Sequence, residues 1–255
     1  MFGGKQMYLS YDTQTVQQDA DVIEPNITGR CAQCSVRDTA ICSSLSRNGL
    51  GDLQKIGRRR LLAKGQSLIW EDDEATVIAN VLSGMLKLSS SASNGSEQIL
   101  GLVGPGGFAG YPHGGKAHHN IAAMVETEIC VFPSESFSRF ADDHPEIRIA
   151  LLDRSLAELD RLRRWMVLLG RGSAAERVAA LLVDFAGDGT GLRSLPLSRG
   201  QIAEFAGLTI ETVSRQFTRL KTAGIITLPT RDTFEVMDRD ALLAISNLHH
   251  DQLLH

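Results

Sequence analysis

The hydrophobic period changes twice along the chain. Residues 1 to about 30 are polar, rich in Gln and Asp and without sustained period, and read as a mobile tail. From about Leu50 to Pro133 come short apolar runs: Leu61-Leu62, Ser67 to Trp70, Val77 to Leu82, Met85 to Leu88, Ile99 to Val103 and Glu128 to Phe132. Turn signals at Gly84, Asn94-Gly95 and Gly104 to Gly107 separate them, which predicts short antiparallel strands in a sandwich or roll. From Pro145 to about Leu169 the period becomes helical, with Leu152, Leu156, Leu159, Leu162, Met166 and Leu169 recurring three or four residues apart among charged residues. About two dozen residues make a helix of about 36 Å, long for one packed only on its own domain. The stripe reads as either an ordinary core face or a dimer seam, although the step from Leu159 through Leu162 to Met166 breaks a strict heptad. A further helix is expected over Ala174 to Ala186, and a turn-rich break over Gly187 to Gly191.

The segment LSRGQIAEFAGLTIETVSRQFTRLKTAGII then predicts a helix-turn-helix. A first helix spans Arg199 to Ala206, Gly207 makes the tight turn, and Thr209 caps the second helix, with Leu208 and Val213 set as a hydrophobic staple. At 100° per residue, Glu211, Ser214, Arg215 and Thr218 share one arc while Ile210, Val213, Phe217 and Leu220 share the opposite one. The polar arc offers a carboxylate for cytosine N4, a guanidinium for guanine and hydroxyls for thymine or phosphate. Thr209 and Arg219 complete the set expected to touch DNA. Alternation after Gly224, with a hairpin around Pro229 to Asp232, adds a β wing.

Composition narrows the function. With 255 residues, 43% hydrophobic and 22% charged, the chain has length for one large or two small folded domains. No apolar run approaches the ~18 residues of a membrane span, and the amino terminus lacks the pattern of an export signal, so a cytoplasmic location is expected. A net charge of -4 gives no global attraction to nucleic acid. Locally, Arg199, Arg215, Arg219 and Lys221 outnumber Glu204 and Glu211 by two charges, a modest basic patch.

Three of the four cysteines fall within twelve residues. Cys31, Cys34 and Cys42 form C-x2-C-x7-C, and Cys130 follows in an expected strand. Four thiolates can close a cage for a [4Fe–4S] cluster or for tetrahedral zinc, and spacing alone does not choose; Cys130 can also be read as a buried hydrophobe. His113, His118 and His119 on a Gly-rich stretch read as a surface loop. Asp72-Asp73-Glu74 and Asp142-Asp143 have no neighbouring nucleophile or base, and there is no P-loop, so no enzyme is expected. An electron-transfer enzyme would also need a flavin or nicotinamide motif, and none is found.

In this order, the parts resemble the CRP/FNR superfamily of transcription regulators, in its oxygen-sensing FNR branch. The marks are LTIETVSRQFTRLKTAGII, AAERVAALL, VETEICVFP and the cysteine set, over roughly residues 31–245. The resemblance implies an α+β fold: an antiparallel, cyclic-nucleotide-binding-like β-roll sensor with its cluster arm over 31–145, and a dimerisation helix over 146–171. A winged helix-turn-helix over 172–245 and a tail over 246–255 would complete it. It implies that Glu211, Ser214 and Arg215 read TTGAT-like half-sites of a two-fold operator. It implies that Cys31, Cys34, Cys42 and Cys130 ligate an oxygen-labile [4Fe–4S] cluster promoting homodimerisation, with structural zinc or a nitric-oxide or redox cue as the alternative. Activators of this superfamily touch RNA polymerase through surface loops, and the Ser89 to Glu97 turn is the expected contact. The x7 gap is longer than in the best-studied members. Phe108-Ala109-Gly110 and His119-Asn120 stand where cyclic-nucleotide binders carry Gly-Glu-Leu and Arg-Ser, so no cyclic nucleotide is expected.

Overall fold

A computed structural model describes residues 29–91, 97–187 and 191–247. Almost all of the expected amino-terminal tail, the middle of the Ser89 to Glu97 turn and most of the expected tail after 246 lie outside these residues.

Eight strands form two four-stranded antiparallel sheets: β1 (Arg58–Leu62), β2 (Ser67–Ile69), β3 (Val77–Ser83), β4 (Leu86–Ser91), β5 (Glu97–Val103), β6 (Phe108–Gly110), β7 (Asn120–Ala123) and β8 (Thr127–Pro133). One sheet runs β1-β8-β3-β6 and the other β2-β7-β4-β5, as a roll requires. Period-2 alternation divides the first sheet's side chains. Ala79, Val81 and Ile129 join the core between the sheets, whereas Ile78, Leu82 and Phe132 face a second core on the outside.

That outer core contains the helices that sequence reading passed over. The apolar runs predict strands from about Leu50, but α1 (Arg47–Ile56) is a helix. Ser46 caps it by accepting from the Gly49 N–H, and Leu50 and Leu53 bury its inner face. Helix α2 (Ser134–Asp143) follows β8 and buries Phe137 and Phe140.

Helix α3 (Pro145–Arg171) starts with proline at its first position and runs 27 residues, about 40 Å. Its inner face buries Ile147, Trp165 and Leu168. Leu152, Leu156, Leu159, Leu162, Met166 and Leu169 stay 38–73% exposed, so the stripe is not a core face within one chain. Helix α4 (Ala174–Ala186) opens on a capping box between Ser173 and Glu176. Arg177 ties this corner together, donating to the carbonyls of Leu168, Leu169, Gly172 and Ala206.

The carboxy-terminal domain contains α5 (Arg199–Ala206) and α6 (Ile210–Thr222), with a sheet of order β10-β11-β9. The expected hairpin is β10 (Ile226–Thr227) with β11 (Thr233–Val236). Two elements were not foreseen: β9 (Gly191–Ser194), paired to β11, and a last helix, α7 (Arg239–Ser246), packed on α4.

Asp184 on α4 accepts from the Trp165 indole across the α3–α4 seam at 3.1 Å. Burial raises its pKa, outweighing the pull of Arg161, the indole bond and Arg164. The native state therefore binds this proton more readily than the unfolded chain, so Asp184's contribution to stability falls as pH rises from about 3.9 through the raised native value. Asp184→Asn keeps an acceptor for the indole. Denaturant unfolding should find the variant at least as stable as wild type at pH 7, with its advantage shrinking toward pH 4; a pH-independent loss would contradict this.

Candidate functional site: a four-cysteine cavity and a recognition helix

The described part of the arm begins at Gly29 and crosses the outer face of the β1-β8-β3-β6 sheet. Arg30 donates to the carbonyls of Gln54 and Gly57 at 3.3 and 3.1 Å, the Cys31 N–H donates to the Gln54 side chain, and the Ser35 hydroxyl donates to the Leu82 carbonyl. Val36, Ala40, Ile41 and Leu45 bury the arm's apolar side in the outer core.

This path brings all four expected ligands to one place. Cys31, Cys34, Cys42 and Cys130 line a single cavity with Leu50, Leu53, Leu82 and Phe132. Its volume is about 40 Å³, several times the 10–15 Å³ one water needs. Cys130 enters from β8, where Arg59 of β1 stands opposite it on one side and Asn80 of β3 on the other. The approach depends on Gly57 between α1 and β1: a Cβ there would lie 3.3 Å from the Cys130 sulfur and 2.6 Å from the Phe132 ring.

Arg30, Arg37 and Arg59 also line the cavity. Burial first, and then the neighbouring thiols, push Cys42 up to about 11 and Cys130 up to about 12. Cys31 is raised chiefly by burial and then by Cys34, while Arg30 and Arg59 pull it down. Without a metal the buried thiols are neutral, so a bound metal must displace their protons. Among the described residues, no three His, Cys, Asp or Glu side chains converge closely enough to hold one metal ion. The cavity thus offers soft sulfur donors spread around its wall, with arginines able to offset negative charge.

The cavity wall reaches α3 directly. A 3-10 turn, Ile41–Ser44, contains Cys42 and packs on α3. Arg154 of α3 donates to the Thr39 carbonyl and, at 3.0 Å, to the Gly106 carbonyl. The sequence gives no role to Arg30, Arg154, Gly57 or Asn80, because their roles follow from packing and register and no motif announces them.

In the carboxy-terminal domain, Gly207 adopts the left-handed conformation (φ 61°) that ends α5 and turns the chain into α6. Thr209 accepts from the Thr212 N–H as the N-cap of α6. Val213, Phe217 and Leu220 are buried, while Glu211, Ser214, Arg215, Thr218 and Arg219 are exposed on the other side. The backbone N–H of Glu211 and the Thr209 hydroxyl hold the Glu211 carboxyl below the usual range, so it is an ionised acceptor. Arg215 donates to the Thr212 hydroxyl at 3.2 Å, and the Thr218 hydroxyl bonds back to the Ser214 carbonyl.

Two expectations about this helix are corrected. Ile210, assigned to the packing arc, is 53% exposed, although its side chain lies near Gly200 of α5. Arg199, counted in the basic patch, lies 3.3 Å over the centre of the Phe217 ring and acts as a packing group.

A family profile for the Crp-like helix-turn-helix domain matches residues 176–245, and one for the cyclic nucleotide-binding domain matches residues 59–144. The chain is 34% identical over 229 residues to the transcriptional activator protein FnrL of Cereibacter sphaeroides, covering 86% of this chain and 92% of that one. It is 37% identical over 214 residues to the nitrogen fixation regulation protein FixK of Bradyrhizobium diazoefficiens, covering 81% and 90%. Among solved structures, FixK2 from Bradyrhizobium japonicum superposes with a TM-score of 0.70 at 26% identity, covering 76% of this chain and 99% of that one.

The two arginines of the helix-turn-helix should separate experimentally. Arg199→Ala should lower stability by roughly 1–2 kcal/mol through loss of the stacked cation. Arg215→Ala should leave stability within about 0.5 kcal/mol and weaken DNA binding. Thermal unfolding and fluorescence anisotropy with duplex DNA report both; equal loss of stability in the two variants would contradict the assignment.

Proposed function

The chain belongs to the CRP/FNR superfamily of transcription regulators, in its FNR-type branch, and from that premise we propose that it is an activator whose DNA binding is controlled by an oxygen-labile [4Fe–4S] cluster. The observation that carries this reading is the meeting of all four cysteines at one buried, arginine-rimmed cavity whose wall packs on α3.

The donor set fits the group. Four thiolates around one zinc at about 2.3 Å would stand only about 3.8 Å apart. A [4Fe–4S] cluster would be held by one cysteine thiolate per iron and so accepts more widely spread sulfurs, and Cys31, Cys34, Cys42 and Cys130, which line one cavity, would be those ligands. When bound, the cluster supplies an oxygen-reactive crosslink between arm and sheet. Cys31, Cys34 and Cys42 hold the arm, and Cys130 holds β8. The turn Ile41–Ser44 and the bond from Arg154 to the Thr39 carbonyl carry the arm's position to α3.

On α3, the exposed stripe from Leu152 through Leu169 is the seam for a second copy of the chain, since isolated exposure of six large apolar side chains is unfavourable. A two-fold dimer sets two α6 helices for successive major grooves, where Glu211, Ser214 and Arg215 read TTGAT-like half-sites. Thr209, Thr218 and Arg219 lie on the exposed side of α6 and contact phosphates or neighbouring edges. Activation then requires RNA polymerase, for which the segment joining β4 to β5 is the candidate contact; Ser89 itself is buried within β4 and is not part of it. No described helix is long and apolar enough to cross a membrane.

Protein purified under argon should contain about four iron and four sulfide per chain and lose its visible absorption in air. Operator affinity should fall at least about tenfold on exposure to air, and Cys130→Ala should abolish both iron uptake and operator binding. A zinc-loaded or colourless protein that binds the operator equally well in air would overturn the proposal.

A further inference from the structure

We propose that Asn80 is a positioning residue for the cluster, donating a hydrogen bond from its side-chain amide to a sulfur of the Cys130 corner. The inference rests on the reading above and adds a ligand-supporting group that is not a cysteine.

Asn80 is the polar exception on β3, whose other interior residues are apolar. It is 2% exposed, and its Oδ1 has no hydrogen-bond partner. Buried carboxamides ordinarily find partners, because an unpaired one costs the desolvation of its polar atoms. The side chain lines the same cavity as the four cysteines. Antiparallel pairing sets Asn80 directly opposite Cys130, and opposed residues on neighbouring strands project from the same face. On its other side it opposes Phe108 of β6, which supplies no polar atom from its side chain.

Loading the cavity changes what this amide meets. Thiolate and sulfide sulfurs are acceptors, and a terminal carboxamide can rotate to present its NH2 end. Hydrogen bonds to cluster sulfurs delocalise negative charge and raise the reduction potential, as second-shell donors do at other metal centres. When the cluster is bound, the NH2 end of Asn80, on a side chain whose Oδ1 has no partner, would thus find an acceptor at the Cys130 corner.

Asn80→Leu and Asn80→Ala remove the amide while differing in volume, so they separate hydrogen bonding from packing. Both variants, reconstituted under argon with iron and sulfide, should take up the cluster. Both should show a more negative midpoint in an anaerobic redox titration and lose the cluster in air roughly three- to tenfold faster than wild type. Thermal unfolding of the metal-free proteins should show Asn80→Leu no less stable than wild type. Unchanged potential and lifetime in both variants would overturn the proposal, as would a defect in Asn80→Ala that Asn80→Leu repairs. A wild-type chain that binds no iron and sulfide would overturn it together with the reading it rests on, whereas a loaded wild type indifferent to position 80 would overturn this inference alone.

Discussion

The constraint on which the account depends is the closure of the amino-terminal arm over the outer face of the β1-β8-β3-β6 sheet. Apolar burial of Val36, Ala40, Ile41 and Leu45 supplies its non-directional part. Bonds from Arg30 to the α1–β1 corner and from Arg154 to the Thr39 carbonyl fix its direction. With the arm in place, three thiols face the fourth across a cavity. Without it, Cys130 would be one half-buried thiol on a strand, and the Cys42 turn would leave α3.

The long helix stands between two regions with different demands. Near its start it joins the outer core that holds the arm, through Ile147, Leu151 and Arg154. Near its end Trp165 and Leu168 join the core of the DNA-binding domain, and Arg177 gathers the last carbonyls of α3 and α5. The apolar stripe lies between and opposite these contacts. Arm, long helix and α6 are thus joined by packed groups at each step.

Much of the carboxy-terminal domain was legible because its signals are local. Thr209 as a cap, Gly207 as a left-handed turn and the 3.6-residue spacing of Val213, Phe217 and Leu220 each act within a few residues. Arg199 misled because a guanidinium in a sequence looks solvated, and only tertiary packing lays it on Phe217. The cysteine spacing drew attention to Cys31, Cys34 and Cys42, whereas the arrival of Cys130 at the same cavity depends on strand register and on the bare Gly57 corner. Helix α1 was hidden because its apolar positions, Leu50, Leu53 and Ile56, are too few to outweigh the strand signals that follow. Asn80 could not be singled out in sequence, since its meaning lies in what stands opposite it.

The central claim is that the state of the four-cysteine cavity sets the association of α3 with a second chain. Sedimentation velocity of the same anaerobically loaded sample, before and after admitting air, tests it most directly. The account predicts a boundary dominated by dimer that gives way to monomer as the iron–sulfur absorbance disappears. A dimer that persists unchanged after the cluster has gone, or a loaded protein that sediments as monomer at every concentration, would contradict it.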